Sequence, residues 1–91
     1  MIRSCGQKDV QQLLDRKFSR RFQGIEKVAR IRLELLDAAT TLRDLELPRL
    51  RLEALKGDRK GQHSIRINDQ FPICFEWRDG DAHNVEIVDY H

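Results

Sequence analysis

The stretch LRLEALKGDRKGQHSIRINDQFPICFEW, residues 50–77, decides the fold, because here the spacing of apolar residues changes from helical to alternating. LRLEAL alternates apolar and polar side chains. KGDRKGQ then supplies Gly57, Asp58 and Gly61 for a turn. Ile65 and Ile67 recur at a spacing of two, as do Ile73, Phe75 and Trp77, so each set falls on one face of a strand. Further on, NVEIVDY at 84–90 puts Val85, Ile87 and Asp89 on a shared face. The intervening NDQ and RDGDAHN segments are short enough for successive antiparallel hairpins.

Upstream the period is that of a helix. In IEKVARIRLELLDAA, residues 25–39, Ile25, Val28, Ile31 or Arg32, Leu35, Leu36 and Ala39 recur at three and four, with no proline or glycine to interrupt them. Val10, Leu13 and Leu14 give a shorter helical pattern that Asp9 is placed to cap, and Gly24 separates the two helices. The pair is expected to form an antiparallel hairpin with its apolar stripes turned to the sheet. MIRSC, with apolar Ile2 and Cys5, reads as a short first strand. The expected fold class is α+β: an N-terminal strand and a two-helix hairpin packed on an antiparallel β-sheet, one domain over residues 1–91.

Ninety-one residues, 35% of them charged, hold no apolar run near the roughly 20 residues a spanning helix needs, which argues against a membrane role. The start MIRSCGQKDV shows no apolar signal core, so the cytoplasm is the expected location. Cys5 and Cys74 lack C-x-x-C spacing, and a zinc site would have to recruit scattered His63, His83 or His91; both thiols are expected reduced in the core, with no metal and no cofactor. The net charge of +2 hides an asymmetry. Residues 1–66 carry 16 Lys and Arg against 9 Asp and Glu, while residues 67–91 carry 1 against 6. RKFSRRFQGIEKVARIR, residues 16–32, has seven basic residues and one acidic with Phe18 and Phe22 interleaved, which suits either a solvated face or a polyanion such as a phosphate backbone.

LDAATTLRDL, RLEALKGDRKGQHSIRINDQ and the terminal VEIVDYH resemble the HigB toxins of bacterial toxin–antitoxin systems, within the RelE/ParE superfamily, and the likeness covers nearly the whole chain. The resemblance implies a ribosome-dependent mRNA endoribonuclease, held inactive by a HigA-like helix-turn-helix antitoxin that also represses the operon. Ribosome and mRNA are then the partners, and operator DNA is met only through the antitoxin complex.

Metal-free RNA cleavage needs a proton acceptor for the 2′-hydroxyl, a proton donor for the leaving 5′-oxygen, and cations for the phosphate. Lys56, Asp89, Tyr90 and His91 supply these types, and they match the family's functional positions. His91 is assigned as general acid. Lys56 neutralises the phosphate or takes the proton, Asp89 orients His91 or Lys56, and Tyr90 stacks on a base or stabilises the attacking oxygen. Arg66 alternates away from Ile65 and Ile67 and is expected on the sheet face opposite the core. Arg20, Arg21, Lys27, Arg30, Arg59, Lys60 and Arg66 form the expected electrostatic footprint for RNA and ribosome.

Two departures from the family pattern bear on activity. Relatives commonly carry Trp-Arg after NDQ, where this chain has Phe71 and Pro72. Proline has neither a guanidinium nor an N–H, so the expectation is a shifted strand at Pro72 and a weakened toxin, unless Arg66 takes over the phosphate. The linker LPRLRLEAL lacks the glycine turn of relatives, so the entry to the following strand is expected to differ. Glu53 stands where some members place a catalytic histidine, and serves as a base or as a partner for Lys56. A ParE-like gyrase-binding toxin and an inactive homologue that only binds antitoxin are the alternative readings.

Overall fold

The computed structural model describes residues 1–17 and 19–89. Helix α1 runs Lys8–Leu14 and buries Val10 and Leu13. Its N-cap is Gln7, without a side-chain cap bond, so Asp9 lies inside the first turn and is not the cap. Its carboxylate is taken up instead by Ser19 Oγ, which donates to it at 3.4 Å, and by Arg21 at 3.7 Å.

Helix α2, Glu26–Ala38, corrects the expected stripe in part: Leu36 and the following Ala39 are buried as expected, and Val28 and Ile31 are not. It buries Ala29, Leu33 and Leu36, whereas Val28 and Ile31 are 42% and 46% exposed. The segment carries two apolar stripes on nearly opposite sides of the helix, and the one containing small Ala29 faces inward, because a methyl group lets the helix approach the core closely. After α2 the chain makes 3₁₀ turns at Leu42–Leu45 and Pro48–Leu50, which bury Leu45 and Leu50. Thr41 and Asp44 cap the first turn reciprocally. Backbone N–H groups of Thr40 and Thr41 donate to Asp44 and hold its carboxyl below the usual carboxylate range.

The sheet is antiparallel in the order β1-β2-β3-β4, with β1 at Glu53–Ala54, β2 at Gln62–Arg66, β3 at Pro72–Arg78 and β4 at Asp81–Ile87. LRLEAL thus shrinks to a two-residue strand, because the 3₁₀ turn and left-handed Arg51 (φ 47°) precede it. The last hairpin is tighter than the expected RDGDAHN loop. Asp79 and Gly80, at φ 53° and 80°, make a two-residue turn of the kind that favours Asp-Gly, which frees residues 81–84 for β4.

A bulge then decides what β4 buries. Cys74 pairs with Glu86 but Glu76 pairs with His83, so Asn84 and Val85 both stand opposite Phe75, with Asn84 left-handed at φ 51°. Strict alternation would put Ala82 and Val85 on opposite faces; after the bulge both are wholly buried. The same residue breaks up the expected first strand. Residues 1–6 run alongside β4 in two separate parallel bridges, Ile2 with Ala82 and Cys5 with Val85, and between them the Asn84 N–H donates to Ser4 Oγ at 2.9 Å.

Ile65, Ile73, Phe75, Val85 and Ile87 form the inner face of the sheet, fully buried in one core with α1 and α2. Each such side chain contributes about 1.5–3 kcal/mol by leaving water. Among the described residues no helix is long and apolar enough to cross a membrane.

Candidate active site

The opposite, outer face of the sheet is polar. Register sets Glu53, Ser64, Cys74 and Glu86 in one row across the four strands, with Arg66 beside Pro72 in the next. On this face Arg51, Glu53, Ser64, Arg66, Asn68, Asp69 and Pro72 enclose a small cleft of about 80 Å³. Two arginines and two acidic residues therefore line one opening. Arg66 Nη1 lies 3.1 Å from Asp69 Oδ1. Because the Asp69 side chain is fully exposed, that pair is weak and an incoming anion can replace it.

Pro72 does not distort the strand. It is the first residue of β3, in regular register with Arg66, and its carbonyl accepts from Val88 N at 3.1 Å. Only one N–H is missing, at a strand start, where proline is tolerated. The irregularity in β3 pairing lies elsewhere, at the Cys74/Glu76 bulge.

The turn between β2 and β3 ties the cleft to the end of the chain. Asn68 Oδ1 accepts from the backbone of Gln70 at 2.9 Å and of Phe71 at 2.8 Å, which fixes the turn. Gln70 Nε2 then donates to Asp89 Oδ1 at 2.8 Å. Tyr90 and His91 lie outside the described residues. Lys56 is exposed, at the start of the 3₁₀ turn Gly57–Arg59, and is not among the residues lining the cleft.

The basic residues fall into separate groups. Arg59 spans the outer face: Nη1 donates to Gln62 at 3.0 Å and Nη2 lies 3.8 Å from Glu86, so the guanidinium crosses over Cys74. Beneath it, burial pushes the Cys74 thiol up, against the pull of Arg59 and with the help of Glu86. Lys60 is exposed beside it. Arg20, Arg21, Lys27 and Arg30 belong to the helical side of the sheet. Arg21 stacks over Phe22 at 5.4 Å, and Arg30 Nε donates to the Leu13 carbonyl at 3.2 Å. Arg20 and Lys27 are exposed.

Arg51 and Gln70 were missed by sequence reasoning. No local signal existed for Arg51, which sits left-handed ahead of β1 and outside the strand alternation. None existed for Gln70, whose partner is 19 residues away.

The family described as the RelE-like toxin of type II toxin–antitoxin system HigB matches residues 9–91. The chain is 46% identical over 61 residues to toxin HigB-1 of Vibrio cholerae serotype O1, covering 66% of this chain and 64% of that one. It is 38% identical over 60 residues to endoribonuclease HigB of Proteus vulgaris, covering 66% and 65%. The chain thus spans just under two thirds of the length of the curated relatives it matches. Its fold is similar to a chain in the YoeB–YefM complex from Staphylococcus aureus, with a TM-score of 0.57 at 16% identity over 100% of this chain and 98% of the other.

Proposed function

The chain belongs to the HigB-like family of RelE-like toxins from type II toxin–antitoxin systems, and on that premise we propose that it is a metal-independent endoribonuclease that cuts mRNA on the ribosome. The observation that carries this reading is the outer-face cleft, where Arg51 and Arg66 flank Glu53. In the reaction, the 2′-oxygen gives its proton to a base and bonds to phosphorus. The bond from phosphorus to the 5′-oxygen breaks, that oxygen takes a proton, and a 2′,3′-cyclic phosphate remains.

Arg66 and Arg51 hold the phosphate oxygens, which gain charge in the transition state. Glu53 receives the proton, Lys56, exposed outside the cleft, adds positive charge to the surface the RNA meets, and His91 donates to the leaving oxygen. Asp89, steadied by Gln70, orients the terminal residues, and Tyr90 stacks on a base. Pro72 fills the place of a further cation, so the toxin is attenuated. It works in the cytoplasm, where a HigA-like helix-turn-helix antitoxin restrains it and carries it to operator DNA. Arg20, Arg21, Lys27, Arg30, Arg59 and Lys60 supply long-range attraction to ribosomal RNA.

The test is cleavage of a defined mRNA on programmed ribosomes, with 5′-end mapping. The parent chain is expected to make discrete ribosome-dependent breaks, and His91→Gln to lose on the order of 10² in rate with its fold unchanged. Inhibition of DNA gyrase without mRNA breaks would assign the chain to the ParE-like reading instead.

A further inference from the structure

The large apolar side chains exposed in the described structure are Met1, Val28 and Ile31, and two of the three lie on α2. With half-buried Leu35 and exposed Ala38 they form the series 28, 31, 35, 38. Steps of three, four and three are the a/d spacing by which one helix packs along another. Leu35 packs in part against the core, but Val28 and Ile31 lie away from the stripe Ala29, Leu33 and Leu36 that serves it, and within the described residues their side chains stay exposed.

The charges along the seam restrict what can cover it. With Val28 as position a, Lys27 and Glu34 occupy g and Arg32 occupies e. Glu34 is answered within the chain by Arg16 at 3.2 Å. Among the described residues neither Lys27 nor Arg32 has an acidic partner, and Arg32 Nε is buried without an acceptor. A second copy of the chain is a poor occupant in either direction. Parallel pairing sets g against e of the neighbour, Lys27 against Arg32. Antiparallel pairing sets e against e and g against g, so Arg32 meets Arg32 and Glu34 meets Glu34.

We propose that this seam is the docking site for an acidic amphipathic helix of the antitoxin, with apolar residues at three-four spacing and carboxylates opposite Lys27 and Arg32. The inference rests on the toxin–antitoxin reading, and it names the surface and the chemistry of the partner. The seam lies on the helical side of the sheet, away from the cleft on the outer face, so its occupancy and the cleft's chemistry are separable.

The probe is a fluorescein-labelled peptide of about 21 residues, three heptads, with Leu at a and d and Glu at e and g, titrated with the full chain and read by anisotropy. A matched peptide with Lys at e and g is the control. The Glu peptide is expected to bind at least about tenfold more tightly than the Lys peptide at low salt, with the difference shrinking as salt rises. Val28→Asp and Ile31→Asp should each abolish binding while leaving the melting temperature and ribosomal mRNA cleavage as in the parent. Equal affinity for the two peptides, no binding of either, or undiminished binding by Ile31→Asp overturns the proposal. So does a dimer in sedimentation equilibrium that Ile31→Asp dissociates, which would give the seam to a second copy. Specific binding by a chain that cleaves no mRNA supports the seam and sinks only the nuclease reading.

Discussion

The two faces of the sheet are built from alternate residues of the same strands, yet they are organised by different forces. On the inner face Ile65, Ile73, Phe75, Val85 and Ile87 are all wholly buried, and area removed from water is enough to explain their positions. On the outer face Ser64 and Cys74 are also buried, but their cover is polar: Arg59 reaching across to Gln62 and Glu86, and the cleft between Arg51 and Arg66. Fold stability is concentrated on one side, and ionic chemistry on the other. A substitution on the inner face should therefore be read in stability, and one on the outer face in activity.

The sharpest way to break that division is at Phe75. Phe75→Ala removes a fully buried ring that contacts both His63 and Trp77, and should cost about 3–5 kcal/mol in urea unfolding, enough to leave much of the chain unfolded. A loss below about 1 kcal/mol would show that the inner face is not where stability resides.

On the outer face Pro72→Arg should raise single-turnover cleavage by about 10², the scale of a charge-assisted donor to a transition state, with little change in melting temperature. Since β3 is regular at Pro72, Pro72→Ala should stay at the parent rate. If alanine recovers as much as arginine, the missing N–H was the defect and the missing cation was not.

A smaller effect is expected where the cleft meets the chain end. Gln70→Ala removes one donor to Asp89 and should lower kcat about tenfold while KM stays near the parent value, because a hydrogen bond to a charged group contributes roughly 1.5–3 kcal/mol. A change confined to KM would make Gln70 part of RNA binding and not of positioning.

The smallest effect lies in the acid limb of stability. Asp44, held by the Thr40 and Thr41 N–H groups, and Asp81, held by Arg3 at 3.0 Å, both have carboxyls below the usual range in the folded chain. Each adds stability that is present above the unfolded carboxylate pKa, near 4, and is lost as pH falls through the lowered folded value. Asp44→Asn and Asp81→Asn should be less stable than the parent at neutral pH, with the gap closing in acid. A gap that is constant across the titration would mean that these carboxylates do not carry the acid sensitivity.

Much of this architecture was legible in the chain because periodicity is a local property. The change of period at residues 50–77 predicts the hairpins, and alternation at Ile65 and Ile67 suffices to put Arg66 on the face away from the core. Motif likeness reached further, to the family itself. Tertiary structure alone decided which of the two apolar stripes of α2 is buried, because both satisfy helical spacing and the choice depends on what packs against Ala29. It also decided that the Asn84 bulge turns Ala82 and Val85 to one face, since a single extra residue reverses alternation without leaving a mark in hydropathy. The cleft belongs to the same category: Arg66 and Pro72 share it because β2 and β3 pair in this register, Arg51 joins them because β1 pairs with β2, and strand register is a relation between segments that no local pattern encodes.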